Sequence, residues 1–114
     1  MPVYIPKRGD FVTVSFGHQP GHEQKGRRPA LIVSNYLFNK HTGLAIACPV
    51  TNTKRDFPFH IKVPDGLSLS GYIMVEHIKS IDYKSRNVKF LERSSREVMN
   101  EVLAILDACI YQET

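Results

Sequence analysis

The sequence predicts a mainly β fold of the α+β class, in which a small, strongly curved antiparallel sheet or barrel precedes one C-terminal α-helix. Several short apolar or alternating segments are separated by polar loops that contain glycine and proline. The final segment instead repeats apolar residues at three- and four-residue spacing, as an amphipathic helix does. Short strands with sharply bent connections and one terminal helix favour a closed or curled sheet over a layered α/β fold.

The length and composition indicate one ordinary globular domain spanning residues 1–114. Hydrophobic residues make up 42% of the 114 residues and charged residues 23%, which is not the composition of a disordered chain. No apolar run approaches the length of a membrane span, and the first ten residues lack the apolar core of a signal peptide, so we expect a cytoplasmic protein without membrane association. Cys48 and Cys109 each lie in an apolar run, which predicts two buried thiols and no disulfide.

The charge is unevenly distributed along the chain. Residues 92–114 hold two arginines and five acidic residues, which gives this segment a net charge of −3. Because the formal net charge of the whole chain is +4, residues 1–91 carry a net charge of +7. A basic body followed by an acidic C-terminal segment indicates a polyanionic or acidic partner for the body.

The first strand is predicted over residues 11–16, where Val12, Val14 and Phe16 share one face and Thr13 and Ser15 the other. A long polar loop follows over residues 17–28, and loops of this length in small domains are usually functional or disordered. The second strand is predicted over residues 29–34, with the proline at its first position because proline lacks an N–H and suits a strand start.

The rest of the chain alternates short strands with turns before the helix. A helical turn or an excursion across the core is predicted over residues 35–43, where the segment ends in glycine. Further strands are predicted over residues 44–49, 59–63, 71–75 and 88–91, with residues 76–83 continuing the third of these after a bend. Ser94 and Glu97 match the S-x-x-E capping box and predict the start of the helix, whose apolar stripe should pack on the barrel or on a partner.

The end of the long loop carries the first candidate functional groups. Arg28 is permanently charged and offers a planar fork of donors that fits a phosphate or a carboxylate, although a surface salt bridge worth under about 1 kcal/mol is the alternative. His22 and Glu23 could exchange protons with a substrate, or could simply be solvated. His18 and His22 are four residues apart, but a Pro-Gly pair between them rules out a helical zinc spacing, so we predict no metal site.

Thr51 is the second candidate, because a strand ends there and a polar loop begins. Its hydroxyl and the free backbone N–H groups could hold a phosphate oxygen, or the hydroxyl could cap its own turn. Lys54, Arg55 and Lys79 could extend a basic surface along a nucleic-acid backbone. The sequence contains no P-loop, no G-x-G-x-x-G, no C-x-x-C and no G-x-S-x-G, so it gives no support to a nucleotide-fuelled enzyme or a serine hydrolase.

Taken together, these segments resemble the MazF/PemK (Kid) family of bacterial toxins from type II toxin–antitoxin systems. The match runs almost end to end and depends on R-G-D at residues 8–10, G-H-E-Q-K-G-R-R-P at residues 21–29, P-V-T at residues 49–51, E-H-I-K-S-I-D at residues 76–82 and V-M-N-E-V-L at residues 98–103. The resemblance implies an SH3-like β-barrel with a C-terminal helix, usually assembled as a homodimer. It also implies a cognate antitoxin that covers the groove with an extended acidic tail.

The resemblance further implies a sequence-specific endoribonuclease that needs no metal or other cofactor. Members cleave single-stranded RNA, chiefly mRNA, and leave a 2′,3′-cyclic phosphate and a 5′-hydroxyl, which inhibits translation and growth. The family motif carries Arg28 and Thr51 over as the central catalytic pair, with Glu23 and His22 as further site residues. We assign Glu23 as base and His22 as acid. The remaining residues expected to bind RNA are Gln24, Lys25, Arg27, Asn52, Lys54, Arg55, His77 and Lys79.

One group within the family places an acid and a nearby arginine on the strand that leads to Lys79. In this sequence Glu76 stands at the acid position and Met74 where the arginine would be, which favours Arg28 as the working cation. Two alternatives to cleavage remain at this point. The same barrel serves toxins that poison a DNA topoisomerase by binding it, and a barrel of this kind could bind RNA without cutting it.

Overall fold

The computed structural model describes residues 3–15 and 26–113, and within them it contains seven strands and two α-helices. The strands are β1 (Asp10–Ser15), β2 (Arg27–Ile32), β3 (Leu44–Thr51), β4 (His60–Lys62), β5 (Tyr72–Met74), β6 (Lys79–Asp82) and β7 (Lys89–Arg93). The helices are α1 (Tyr36–Thr42) and α2 (Arg96–Ile110), and a short 3-10 turn (Val75–His77) joins β5 to β6.

Strand β3 organises the sheet. The strand order is β4–β5–β3–β2–β1–β7, every pairing is antiparallel, and β6 pairs with the first half of β3. On the edge of β3 opposite β2, the partner changes along the strand: residues 44–47 pair with β6, whereas Val50 and Thr51 pair with Ile73 and Tyr72 of β5. Because one strand changes partners along its length, the sheet curls. The predicted curved, mainly antiparallel fold with a C-terminal helix is therefore confirmed.

Apolar clusters cover both faces of the central strands. Phe11, Leu31 and Cys48 belong to one cluster, onto which the first half of α2 packs, whereas Val12 and Ala30 belong to the other. Strand β1 was expected to be buried on one face only, but Phe11 is also fully buried. The curl causes this difference, because it wraps apolar groups around both sides of the same strand.

Strand β2 begins two residues earlier than the sequence predicts. Arg27 and Arg28 pair with Ser15 and Val14 of β1, so both arginines lie in the strand and not in the preceding loop. Pro29 is consequently inside the strand. The ladder with β3 starts only at Ala30, so Pro29 has a strand neighbour on one side alone, where a missing N–H is tolerated.

The predicted helical turn at residues 35–43 is confirmed as α1. The Asn35 side chain caps its N-terminus by accepting a hydrogen bond from the Phe38 N–H at 2.9 Å. Gly43 ends it in the left-handed region at φ +75°, a conformation that other residues rarely adopt.

Helix α2 starts one residue later than the predicted capping box. Ser95, not Ser94, is the N-cap, and its Oγ accepts from the Val98 N–H at 3.2 Å. The capping box needs its glutamate three residues after the cap, and Glu97 is only two residues after Ser95. The Ser94 hydroxyl is buried without a hydrogen-bond partner among the described residues.

The two halves of α2 have different environments. Val98, Met99 and Val102 in the first half are buried against the sheet, whereas Ile110 in the last turn is 75% exposed. Cys109 is also exposed, so the prediction of two buried thiols holds for Cys48 and is wrong for Cys109. Helix α2 extends beyond the edge of the small sheet, so the last apolar residues of the helix are exposed. Among the described residues, no helix is long and apolar enough to cross a membrane.

A buried carboxylate ties the N-terminal segment to the last strand. Asp10 accepts hydrogen bonds from the Tyr4 hydroxyl, from the Lys7 N–H at 3.0 Å and from Arg93 Nη1 at 2.7 Å. Burial raises the pKa of the Tyr4 phenol, and the hydrogen bond to Asp10 raises that pKa further. This cluster, which we call the N-terminal latch, joins residues on either side of β1.

Candidate active site

A cleft of about 540 Å³ opens where β3 ends. Its size falls in the range of small-ligand sites, which is about 300–1,000 Å³. Three chain segments build it: the end of β3, the loop between β3 and β4, and the turn between β5 and β6. The residues that line the cleft are Thr51, Arg55, Asp56, Phe57, His60, Met74, Glu76 and His77.

Thr51 is held at the mouth of the cleft by the close approach of Gly71. A Cβ atom at position 71 would lie 2.5 Å from the Thr51 carbonyl oxygen, and the φ of Gly71 is +128°, so only glycine fits there without strain. The Thr51 Oγ1 accepts a hydrogen bond from the Thr53 N–H at 3.2 Å. The hydroxyl therefore caps its own turn, as the sequence allowed, while its O–H remains available to a ligand as a donor.

Arg28 lies on β2, next to the end of β3. The β2–β3 ladder ends at the pair Ala30–Pro49, and Arg28 and Thr51 each lie two residues beyond that pair on their own strands. Arg28 is exposed, and within residues 3–15 and 26–113 its guanidinium makes no hydrogen bond. The two residues predicted as the central pair therefore lie on neighbouring strands, near the point where the β2–β3 ladder ends.

Arg27 is predicted to bind RNA, and in the structure its side chain makes hydrogen bonds to neighbouring segments of the fold. Its Nη2 donates to the backbone oxygen of Thr13 at 3.2 Å, to the Thr13 hydroxyl and to the Asn87 carbonyl oxygen at 3.0 Å. Neighbouring strand residues point to opposite faces, so Arg27 and Arg28 cannot both point to the same side. Arg27 therefore holds β2 against β1 and the turn before β7.

A pair of side chains that the sequence reasoning did not select lies in the cleft. The Nε2 of His60 is 2.7 Å from Oε2 of Glu76, and the Nε2 of His77 is 3.7 Å from the same oxygen. Because a carboxylate only accepts, His60 must carry its proton on Nε2 in this contact. The His60 side chain is 3% exposed and its Nδ1 has no hydrogen-bond partner among the described residues. Sixteen residues separate His60 from Glu76, so no spacing rule could have found the pair.

The other predicted RNA-binding residues are more dispersed. Arg55 and His77 line the cleft, and Asn52 lines a neighbouring depression of about 450 Å³. Lys54 is exposed on the loop before β4, and Lys79 is exposed at the start of β6. The predicted site residues His22, Glu23, Gln24 and Lys25 lie outside the described residues.

Buried Cys48 does not have the properties of a nucleophile. Burial raises the pKa of its thiol to about 12, and the nearby charge of Glu76 adds to the shift. A thiol in this state is a weak nucleophile at neutral pH. Among the described residues, no three His, Cys, Asp or Glu side chains converge as a metal site would require.

The fold and the site together define a small barrel-like protein with an exposed arginine on a strand next to a polar cleft. Residues 7–110 match the family described as PemK-like, MazF-like toxin of type II toxin–antitoxin system. The chain belongs to this family, and its curated relatives are endoribonucleases.

Two curated relatives illustrate the similarity. The chain is 37% identical over 108 residues to the endoribonuclease PemK of Escherichia coli, covering 91% of this chain and 81% of that protein. It is 34% identical over 83 residues to the endoribonuclease toxin MazF of Escherichia coli K12, covering 73% of this chain and 74% of that protein.

Solved structures share the fold almost completely. A MazE–MazF crystal structure from Deinococcus radiodurans superposes with a TM-score of 0.87 at 35% identity, covering 96% of this chain and all of that chain. A mycobacterial endoribonuclease in complex with its cognate antitoxin superposes with a TM-score of 0.78 at 25% identity, covering 96% and 98% of the two chains.

Proposed function

We propose that this protein is the toxin of a type II toxin–antitoxin system and acts as a metal-independent, sequence-specific endoribonuclease on single-stranded RNA, chiefly mRNA. The observation that carries the proposal is that Arg28 and Thr51 lie on neighbouring strands, each two residues beyond the last pair of the β2–β3 ladder, with Thr51 lining the cleft. A permanent cation and a hydroxyl donor near these strand ends suit the negative charge that grows on an attacked phosphate. Cleavage of mRNA then inhibits translation and growth.

The proposed reaction is a transesterification within the RNA. The 2′-oxygen attacks the adjacent phosphorus, the bond from phosphorus to the 5′-oxygen breaks, and a 2′,3′-cyclic phosphate and a 5′-hydroxyl result. Glu23 takes the proton of the 2′-hydroxyl and His22 gives a proton to the leaving 5′-oxygen. Arg28 and Thr51 donate hydrogen bonds to the non-bridging oxygens as their charge increases.

The proposed partners follow from charge and from the relatives. Residues 1–91 carry a net charge of +7, which suits both RNA and the acidic tail of a cognate antitoxin that competes for the groove. A similar chain from Deinococcus radiodurans was solved as a MazE–MazF complex, which supports an antitoxin partner for this protein. We also propose a cytoplasmic homodimer of a single domain, and the uncovered apolar residues at the end of α2 provide surface for protein contacts.

The decisive experiment is RNA cleavage in a chelator. Purified protein is incubated with a long single-stranded RNA in EDTA, and the 5′-hydroxyl ends are ligated and sequenced. We expect discrete cleavage sites with 5′-hydroxyl and 2′,3′-cyclic phosphate ends. Activity that needs added Mg²⁺ or Zn²⁺ would contradict the metal-independent mechanism. Intact RNA would favour a protein that only binds, whether to RNA or to a topoisomerase.

A further inference from the structure

The cleft beside Thr51 combines flat rings with acidic acceptors. Phe57 is 42% exposed, and its ring is held edge-on against Phe59 and His60 at centroid distances of 5.4 and 5.2 Å. Met74 and the half-exposed ring of His77 complete the apolar lining. Single-stranded RNA is recognised mainly by stacking its bases on such side chains. Two carboxylates, Asp56 and Glu76, also line the cleft, together with the cation Arg55.

Glu76 is a fixed acceptor inside this cleft. The almost fully buried His60 side chain donates a hydrogen bond from Nε2 to Glu76 Oε2 at 2.7 Å, and this bond holds the carboxylate in position. A carboxylate has about four lone-pair sites on two oxygens, and the His60 contact uses one of them. The Glu76 side chain remains 24% exposed, so the carboxylate keeps acceptor capacity for a ligand in the cleft.

The chemistry of the bases decides what such an acceptor selects. A carboxylate presents two acceptors side by side and no donor. Guanine is the RNA base whose Watson–Crick edge presents two adjacent donors, N1–H and the N2 amino group. Adenine and cytosine each present one amino donor next to an acceptor nitrogen, which faces the second carboxylate oxygen unfavourably. Uracil presents one N–H between two carbonyl oxygens.

We infer that the cleft is a guanine-binding subsite, in which Glu76 accepts from N1–H and N2–H of a base stacked at Phe57, and that His60 is the positioning residue that orients Glu76. The subsite adjoins Thr51, so the guanine lies at a fixed position close to the cleaved bond. This inference rests on the proposed endoribonuclease function and adds the identity of one recognised base.

The first test reads the cleavage motif. The protein is incubated with a randomised single-stranded RNA pool, and the new 5′-hydroxyl ends are sequenced. We expect guanine at one fixed position next to the cleaved bond. The glutamine side chain in Glu76→Gln offers one acceptor and one donor, so adenine should also be accepted in the cleft. The preference for guanine should fall at least about fivefold, which is the scale of losing one base contact. Glu97→Gln, on the exposed side of α2, is the matched control and should leave the motif unchanged.

The role of His60 is tested with two variants of the same position. His60→Phe keeps a ring against Phe57 but removes the N–H, so the guanine preference should weaken as it does in Glu76→Gln. His60→Gln keeps an N–H donor and should restore much of the preference. A purely structural role would change stability and total activity in both variants without changing the base preference.

A binding measurement makes the inference independent of cleavage. An oligonucleotide with a 2′-deoxy sugar at the scissile position cannot be cut, and guanosine in it can be replaced by inosine, which lacks the N2 amino group. We expect wild type to bind the guanosine form several-fold more tightly than the inosine form. Glu76→Gln should bind the two forms equally. Equal binding of both forms to wild type, or a motif unchanged by Glu76→Gln, would overturn the guanine subsite while leaving the endoribonuclease function intact. Absence of cleavage with a guanosine preference in binding would instead contradict the endoribonuclease function alone.

Discussion

Two carboxylates in this protein have a cationic or imidazole partner at the same distance, yet their environments differ. Asp10 and Arg93 in the N-terminal latch are 2.7 Å apart, and so are Glu76 and His60 in the cleft. The Asp10 side chain is 3% exposed and also accepts from Tyr4 and Lys7, so its acceptor capacity is used within the fold. Glu76 is partly exposed and has capacity left.

This difference separates stability from function. A buried carboxylate whose acceptors are all used holds chain segments together, and removing it leaves donors unpaired. A partly exposed carboxylate anchored by one buried donor is ready to accept from a ligand. The comparison therefore predicts that changes in the latch alter unfolding, whereas changes around the cleft alter cleavage.

The largest effect is expected at Arg28, on the cleft side. Arg28→Ala should lower the cleavage rate by roughly two to three orders of magnitude, the scale for losing one donor to a developing oxyanion. RNA affinity should fall much less, because the charge on the phosphate oxygens grows toward the transition state. Single-turnover rates and binding by anisotropy separate the two quantities.

Two further variants control the Arg28 result. Arg96→Ala removes an exposed arginine at the start of α2 and should leave the rate unchanged. Arg28→Lys should restore only part of the rate, since a point charge lacks the forked donors. A near wild-type rate for Arg28→Ala, or a loss explained by an unfolded circular dichroism spectrum, would contradict the assignment.

The next largest effect is expected in the latch. Asp10→Asn keeps the shape but removes the charge that Arg93 and the Tyr4 hydroxyl contact, and should lower the free energy of unfolding by about 2 kcal/mol. The value is at the lower end for a buried charge because Arg93 is more than half exposed. Urea unfolding measures it, and the cleavage rate per folded molecule should not change.

Asp65→Asn is the matched control for the latch. Asp65 pairs with Lys62 at 3.6 Å, and both side chains are largely exposed, so the loss should be below about 0.5 kcal/mol. Equal destabilisation by the two asparagine variants would show that burial does not distinguish the pairs.

Gly71 connects backbone packing to the cleft. Gly71→Ala places a Cβ against the Thr51 carbonyl at a strained φ, so it should destabilise by about 1–3 kcal/mol and also lower the cleavage rate by displacing Thr51. Gly66→Ala has a similarly positive φ of +95° but open space around the new Cβ, and should cost stability without affecting the rate. Unfolding curves and single-turnover rates for both variants test this difference.

The last prediction concerns Cys48, and its effect appears only at alkaline pH. Its folded pKa is raised to about 12 from an ordinary value of 9.0, so folding favours the neutral thiol. The corresponding stability is present below pH 9 and is lost as pH rises toward 12, because the unfolded thiol ionises first. Cys48→Ala should therefore lose less stability than wild type over this range. In thiol labelling at neutral pH, exposed Cys109 should react quickly and Cys48 only upon unfolding.

The sequence by itself determined the features that depend on local chemistry. Alternating and apolar segments predicted the strands, because side-chain period and burial are properties of neighbouring residues. The glycine at the end of residues 35–43 marked the end of a helical turn, which the structure contains as α1. The motifs around Arg28 and Thr51 identified the family, and both residues were named as candidates before any spatial relation was known.

Only the tertiary structure decided which side chains meet. The His60–Glu76 pair joins β4 to the turn after β5, and a contact across strands depends on sheet register, which short-range periodicity does not encode. The same register turned Arg27 inward and left Arg28 exposed. Pairing of Arg27 and Arg28 with β1 set where β2 begins, and the Ser95 cap set where α2 begins. The small size of the sheet left Cys109 outside the core that buries Cys48. These features depend on contacts between residues that are far apart in the sequence, and patterns among neighbouring residues do not determine those contacts.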